Sequence, residues 1–433
     1  MTIQINLNGA LDIGNGYVKG VIENVSGARE VIDMPSSAAV LTRPNLLPVP
    51  DVEAPSVFQN RTLEGADAPD FYNILDASFN TPLVPDTYRR VFGTRSLTAD
   101  GAFEEFDTVG RASKAKQPLS KVLVLGIFAA KALRDYVKQH GQLPSEEIQV
   151  TARAALALPI SEFLRYRESY AAEFIQSRKP HLVLIQNFET NVVVRISFID
   201  VQVLAEGASA QYAIIAKGEP LMNTMLADVR ARSTVAKTAL EGITAHDVLA
   251  ATNTIGLDVG TGTTQAVVFS NGKFNAEASQ TFNKGYGTIL LNTIKSMEDQ
   301  GLETGFSTRL ELAQFLQHAP SALKKAFYNR VKQFVEQETR FFVDEVIEKL
   351  GTVLRNVGAV TEVAYVYGGG SDPIKDVLYP ALLAKVVEMN STDAFPVLYL
   401  NAQYSRHLNR EGLFIAVKTV EERTARGVGG ARR

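Results

Sequence analysis

Asp12 closes an apolar run and leads into a glycine turn, LDIGNGYVKGV, and Asp258 does the same in LDVGTGTTQAV. At aligned positions the pairs Leu11/Leu257, Asp12/Asp258, Gly14/Gly260, Gly16/Gly262 and Val21/Val267 are identical. A glycine turn between strands bares backbone N–H groups with no side chain in the way. Such groups form a concavity suited to phosphate oxygens. A carboxylate beside that concavity repels phosphate unless a cation stands between them. The pairing therefore points to Mg²⁺, which takes carboxylates, waters and phosphate oxygens. One copy alone reads as a plain hairpin; two copies with the same Asp, facing each other, would clasp a triphosphate from both sides. Gly368, Gly369 and Gly370 follow EVAYVY and would either let a base and ribose lie against the backbone or simply turn a strand into a helix. Neither Gly-x-x-x-x-Gly-Lys-Ser/Thr nor a helix-opening Gly-x-Gly-x-x-Gly is present.

At 433 residues the chain exceeds one ordinary core, so two or three domains are expected. Its 45% apolar and 21% charged residues fit a soluble globular enzyme. A formal net charge of −3 gives no global drive toward nucleic acid or an anionic membrane. The absence of cysteine excludes disulfides, thiolate metal sites and a Cys nucleophile, and fits a reducing cytoplasm. His140, His181, His246, His318 and His407 show no ligand spacing. The opening MTIQINLNGALDIG lacks the basic and apolar regions of a signal peptide. VLVLGIFAAKAL, broken by Lys131, reads as a buried helix rather than a membrane span. The expectation is a soluble cytoplasmic protein.

The elements that must carry these turns are legible in outline. Residues 3–35 read as a hairpin about the GNG turn with a further strand near Glu30–Met34, and 119–139 as a helix. Between them, 43–118 is irregular and punctuated by prolines, as in RPNLLPVPDVEAP, and reads as an insertion. VTARAALALP is a strand, followed by a helix that Ser161 and Glu162 open; HLVLIQNF and NVVVRISFIDVQVL are two more strands. Residues 219–251 are helix-like, then the second copy begins. FSNGKF is a hairpin with Asn-Gly at its turn. Residues 286–356 are largely helical, and EVAYVYGGGSDPIKD gives strand, glycine loop and helix. The Gly/Arg-rich tail RTARGVGGARR is expected to be disordered. The fold class is α/β, with mixed sheets covered on both faces.

In this order the motifs resemble the actin-like ATPase superfamily, and within it they are most similar to the bacterial plasmid-segregation actins, the ParM-like proteins. LALPISEFLRYR resembles that family's Leu-Pro-φ-Ser/Thr-Glu-Phe/Tyr segment, and IDVQVLAEGASAQY its φ-x-Val-φ-x-Glu-Gly/Ser-x-x-Ala stretch. GYGTILLNTI, AYVYGGGSDPIKD and NAQYSRHLNREGLFIA match in order and character. Ala205 stands where the family commonly has a proline before its glutamate, 43–118 matches poorly apart from TVGRAS, and residues are added around LNREG. These departures bear on subunit contacts and filament geometry more than on nucleotide binding.

The resemblance implies a two-domain actin-like fold, each half a mixed sheet flanked by helices (RNase H-like), with nucleotide in the cleft between. Domain I would span 1–250 plus 403–422, with an insertion subdomain over about 43–118; domain II would span 254–402, with a helical subdomain over about 273–350; 423–433 would be the disordered tail. It implies ATP, with GTP left open, and Mg²⁺ held by Asp12 and Asp258 through water. Gly14, Asn15, Gly16 and Tyr17 would wrap one side of the phosphates, and Gly260, Thr261, Gly262 and Thr263 the other. Lys19 would contact phosphate as a point charge; by itself it reads equally as an exposed strand lysine. Glu206 would orient the attacking water, with Gln211 a second candidate. Asn283 and Lys284 would approach ribose or base, or form an ordinary helix-entry turn. The implied activity is nucleotide hydrolysis coupled to filament assembly. The implied partners are further copies of the chain and a small DNA-binding adaptor on plasmid DNA, without direct nucleic-acid or membrane contact. The rival functions are a sugar or carboxylate kinase with the same clamp, an organelle-positioning filament, and a membrane-tethered scaffold; the last would need a terminal amphipathic helix with large apolar residues.

Overall fold

The computed structural model describes residues 3–41, 71–107, 112–176, 179–188, 190–232, 240–357, 360–389 and 395–430. Residues 43–70 of the insertion, with its RPNLLPVPDVEAP stretch, and residues 108–111 of TVGRAS lie outside the described residues. The chain divides into two units: Met1–Leu158, Glu162–Ala205 and Arg410–Arg433 form the first, and Pro159–Ser161 with Glu206–Asn409 form the second.

In the first unit the repeat opens a sheet. β1 (Ile3–Ile13) pairs antiparallel with β2 (Tyr17–Asn24), which pairs with β3 (Arg29–Pro35). The sheet continues through β4 (Ser37–Val40), β5 (Asp76–Asn80), β6 (Arg90–Phe92), β7 (Ala102–Glu105), β8 (Ile148–Leu158), β9 (His181–Ile185) and β10 (Val192–Ala205), in the order β3-β2-β1-β8-β10-β9-β5-β6-β4-β7. β8 runs parallel to both β1 and β10. α1 (Pro118–His140) is buried without a break from Leu119 to Leu133, the signature of a helix packed all round. Phe128 sits over Gly9, where a Cβ would come within 2.5 Å of the ring, and meets Phe198 edge-on at 5.2 Å. Lys131, fully buried, is ion-paired to Asp135 one turn on and lies 3.9 Å from Glu30. The apolar run is thus a core helix, as its lysine indicated. Among the described residues no helix is long and apolar enough to cross a membrane.

α2 (Ile160–Ile175) begins where Ser161 and Glu162 foretold. Glu162, however, accepts the N–H groups of Lys114 (2.9 Å) and Ala115 (3.0 Å), so it ties down the turn before α1. The terminal helix, Leu408–Gly430, lays Leu413 and Val417 on Ala10, Ala155 and Ala157, three small strand residues that let it approach. Lys418 pairs with Glu23 at 2.8 Å, and Asn8 donates to Glu421 at 2.8 Å. Residues 431–433 lie outside the described residues.

The second unit repeats the plan. α3 (Ala208–Arg232) is broken at Gly218 (φ 64°, ψ −156°) just before Pro220, and α4 (Ala245–Ala250) follows with a capping box from Thr244 and Asp247. β11 (Thr254–Val259) pairs antiparallel with β12 (Thr264–Ser270) and parallel with β15 (Val363–Tyr367), which is parallel to β16 (Val397–Tyr399). β13 (Lys273–Phe274) and β14 (Gln280–Phe282) both edge β12. The Asn271-Gly272 turn has both residues at positive φ, as its sequence demands. α5 (Tyr286–Asp299), α6 (Arg309–Gln317) and α7 (Lys325–Val357) share a satellite core of Leu290, Ile294, Met297, Leu312, Val331 and Phe334. The helical part therefore starts at 286, not 273, because 273–282 joins the sheet. α8 (Lys375–Met389) and α9 (Ala402–Ser405) complete the unit.

The sheet is covered on both faces. Ile255 and Leu257 share an apolar cleft with Leu350, Leu354, Leu382 and Val386 of α7 and α8, while Gly256 between them faces Gln211 of α3. α3 thus packs in this core through Ala210, Ala213, Ile214 and Met222. That packing moves the expected boundary at 250–254 back to 205–206.

Candidate functional site

Each unit places its aspartate one residue before the end of a central strand. In the first, the turn closes through Gly14 N–H donating to Tyr17 O at 3.0 Å, and Ser36 N–H donates to Gly16 O at 3.0 Å. Asp12, buried, stands opposite Lys19, which stands opposite Asp33, so three charged side chains lie in a row on one sheet face. Lys19 is half-buried, and its ammonium forms no ion pair among the described residues.

In the second unit Gly260 N–H donates to Thr263 O at 2.9 Å, and Asp258 stands opposite Gln265. Gln265 occupies the position of Lys19 but is only 1% exposed. Its Nε2 donates to Thr263 Oγ1 (2.9 Å) and Glu206 Oε2 (3.5 Å), and its Oε1 accepts from Thr281 Oγ1 (2.7 Å). The first N–H groups of α5 fasten the turn from behind: Tyr286 donates to Gly260 O at 2.9 Å and Gly287 to Thr261 O at 2.8 Å. A Cβ at Gly285 would lie 2.5 Å from Gly260 O. Gly368 (φ 96°) presses on Asp258; a Cβ there would meet Asp258 Oδ1 at 2.3 Å and Val259 O at 2.4 Å. Gly370 N–H donates to Val259 O at 2.8 Å, while Gly369 is exposed.

Glu206 reaches this cluster through its neighbour. Gly207, at φ 76°, lies so close that a Cβ would stand 3.2 Å from Asp258 Cβ. Its carbonyl accepts from Tyr367 Oη at 2.8 Å, and its N–H donates to Asn409 Oδ1 at 3.0 Å. Asn409 also accepts from Ser209 Oγ (2.9 Å) and donates through Nδ2 to Asp258 Oδ2 at 2.7 Å. Burial, and then the charge of Asp258, push the Tyr367 phenol well above its ordinary range, so it remains a donor. Glu206 and Asp258 are thus held in one network with the Gly260–Thr263 turn and the triple glycine.

The other candidates fall elsewhere. Gln211 is buried, and its Oε1 accepts from Thr254 Oγ1 at 2.7 Å, four residues upstream of Asp258, at the start of β11. Asn283 is exposed, and Lys284 pairs with Glu345 at 2.6 Å, an ion pair that holds the Glu345 carboxyl below its ordinary range. The residues not singled out from the sequence are Gln265, Gly285, Gly287, Tyr367 and Asn409. Gln265 had a signal as the repeat counterpart of Lys19, and the other four lie inside the segments GYGTILLNTI, AYVYGGGSDPIKD and NAQYSRHLNREGLFIA.

No family profile and no curated protein matches the sequence. Solved structures do match the architecture. The crystal structure of the actin-like protein Alp7A superposes with a TM-score of 0.63, over 99% of this chain and 100% of that one, at 13% identity. The fold is actin-like. A non-polymerisable quadruple mutant of the pCBH ParM shares this actin-like fold at TM-score 0.57 and 15% identity, covering 96% of this chain and 99% of that one. Bacillus thuringiensis ParM with AMPPNP does so at 0.54 and 16%, with the same coverage. At such identities the likeness is one of fold, and within this actin-like chain the site rests on its own residues.

Proposed function

We propose that this chain is a nucleotide-dependent, filament-forming actin-like protein that hydrolyses ATP with Mg²⁺ and moves plasmid DNA through a small DNA-binding adaptor. The observation that carries the reading is the network joining Glu206, Asp258 and the Gly260–Thr263 turn within one unit of an actin-like fold. Phosphoryl transfer to water needs a positioned nucleophile and stabilised charge, and little covalent chemistry from the protein. Glu206 supplies the first: a carboxylate only 9% exposed orients a water through one hydrogen bond. Gly14, Asn15, Gly16 and Tyr17, with Gly260, Thr261, Gly262 and Thr263, offer N–H groups to phosphate oxygens, and Lys19 adds a positive point charge. Gly369, exposed between two glycines without side chains, leaves backbone open to a flat base.

The residues fit Mg²⁺. Asp12 and Asp258 both end in hard carboxylate oxygens beside glycine turns, the donor type that suits an ion keeping most of its waters. Asp258 and Asp12 would hold that hydration shell. When bound, the ion neutralises charge on the phosphates. Among the proteins sharing the fold, one ParM is bound to AMPPNP and another is a mutant that does not polymerise, which supports nucleotide binding and assembly for this chain.

The test is light scattering with parallel phosphate release after ATP and Mg²⁺ are added to the pure protein, with GTP run alongside. A concentration threshold for scattering, with phosphate release following it, is expected. Nucleotide binding without scattering, with ADP formed only when a small-molecule acceptor is present and the phosphoryl group found on that acceptor rather than as free phosphate, would establish the kinase instead. Capture of plasmid DNA by filaments only when an adaptor is added would test the cargo.

A further inference from the structure

We infer that Asn409 is a positioning residue, one amide that aims the Asp258 carboxylate and locks the backbone beside Glu206; the inference rests on the proposed nucleotide site. Its two ends do different work. Nδ2 donates to Asp258 Oδ2 at 2.7 Å, while Oδ1 takes the Gly207 N–H at 3.0 Å and the Ser209 hydroxyl at 2.9 Å. The amide has one workable orientation, since a flip would set its oxygen against a carboxylate and its NH₂ against the Gly207 N–H. Hydrogen bonds to an ionised group are the strong ones, so the contact fixes the rotamer of Asp258. Through Gly207 the same amide fixes the residue that follows Glu206, and Tyr367 holds the other side of that peptide. Asp258 and Glu206 lie 52 positions apart in the chain, and Asn409 lies far beyond both. No motif links the three.

A neighbour that orients a metal-binding carboxylate typically controls metal affinity or rate by about 10–100-fold. A merely structural amide would alter stability and leave the metal dependence alone. The experiment is a Mg²⁺ titration of fluorescent ATP-analogue binding by the full-length chain, with a melting curve for each variant. For N409A, the Mg²⁺ concentration at half-maximal binding is expected to rise about 10-fold or more, while binding in EDTA stays within about 2-fold of wild type. The near-isosteric N409L keeps the side-chain volume without either hydrogen bond, and its Mg²⁺ half-point is expected to rise as that of N409A does. Should N409A fail to fold, N409L carries the test. A lowered melting temperature with unchanged Mg²⁺ half-points would overturn the inference and leave the function standing. No Mg²⁺-dependent nucleotide binding by wild type would overturn both.

Discussion

The two glycine hairpins share a register and differ in how they are fastened. In each, an aspartate ends a strand that has an antiparallel return strand on one side and a parallel strand on the other. Opposite Asp12 stands Lys19, half-buried and without an ion-pair partner among the described residues; opposite Asp258 stands Gln265, buried and bonded to Thr263, Glu206 and Thr281. Ser36 secures one carbonyl of the first turn, whereas two N–H groups of α5 and the Gly368–Gly370 loop secure the second. One backbone motif thus serves two purposes. The first hairpin presents a charge. The second is locked around the glutamate, and a neutral amide suits it because an unpaired buried charge is costly.

The largest effect is expected from Glu206→Gln. Phosphate release should fall about 10²–10⁴-fold while ATP-triggered scattering persists; unchanged release would remove Glu206 from the site. Next comes the contrast between Gly368→Ala and Gly14→Ala, read by urea unfolding. The first strains a left-handed residue and drives a methyl group to 2.3 Å from Asp258 Oδ1, so a loss of about 3 kcal/mol or more is expected. The second meets only Tyr17 O at 2.8 Å, without a positive φ, and should cost about 1–2 kcal/mol. Equal losses would show that the two turns are fastened alike.

Swapping the partners of the aspartates sharpens the division of labour. Lys19→Gln should weaken ATP binding about 10-fold with the melting temperature preserved. Gln265→Lys buries a cation beside Glu206, and should abolish the faster phosphate release while ATP still binds. The smallest effect separates the units by pH. His181, of the first unit, donates through Nε2 to Phe174 O at 3.0 Å and accepts at Nδ1 from Thr81 Oγ1 at 2.7 Å, and burial holds its pKa below the usual 6.5. A depressed histidine favours its neutral form, so its stabilisation is whole above about pH 6.5 and is lost as pH falls below that value. The unfolding free energy should therefore decline as pH falls from about 7 to about 5, and His181→Gln should flatten that slope. His181 lies within the first unit, so the slope reports on that unit.

Much of the site was legible where short-range chemistry dictates it. Asp12 and Asp258 stand where the repeat put them, because alternation and a Gly-x-Gly turn are local rules. Gly368 and Gly370 were legible as a loop but not as the residues that wedge against Asp258. Lys284 was read toward a ligand, yet it meets Glu345, sixty-one positions away, through a surface ion pair that no motif announces.

By itself the sequence determined the duplicated hairpins, the α/β class, the buried character of α1 and the identity of the two carboxylates, since period, turn chemistry and burial preference act over a few residues. Only the tertiary structure decided that Asn409 clasps Asp258, that α5 fastens the second turn, and that α3 belongs to the second core. Those contacts join segments tens to hundreds of positions apart, and their free energy exists only once packing has brought the segments together.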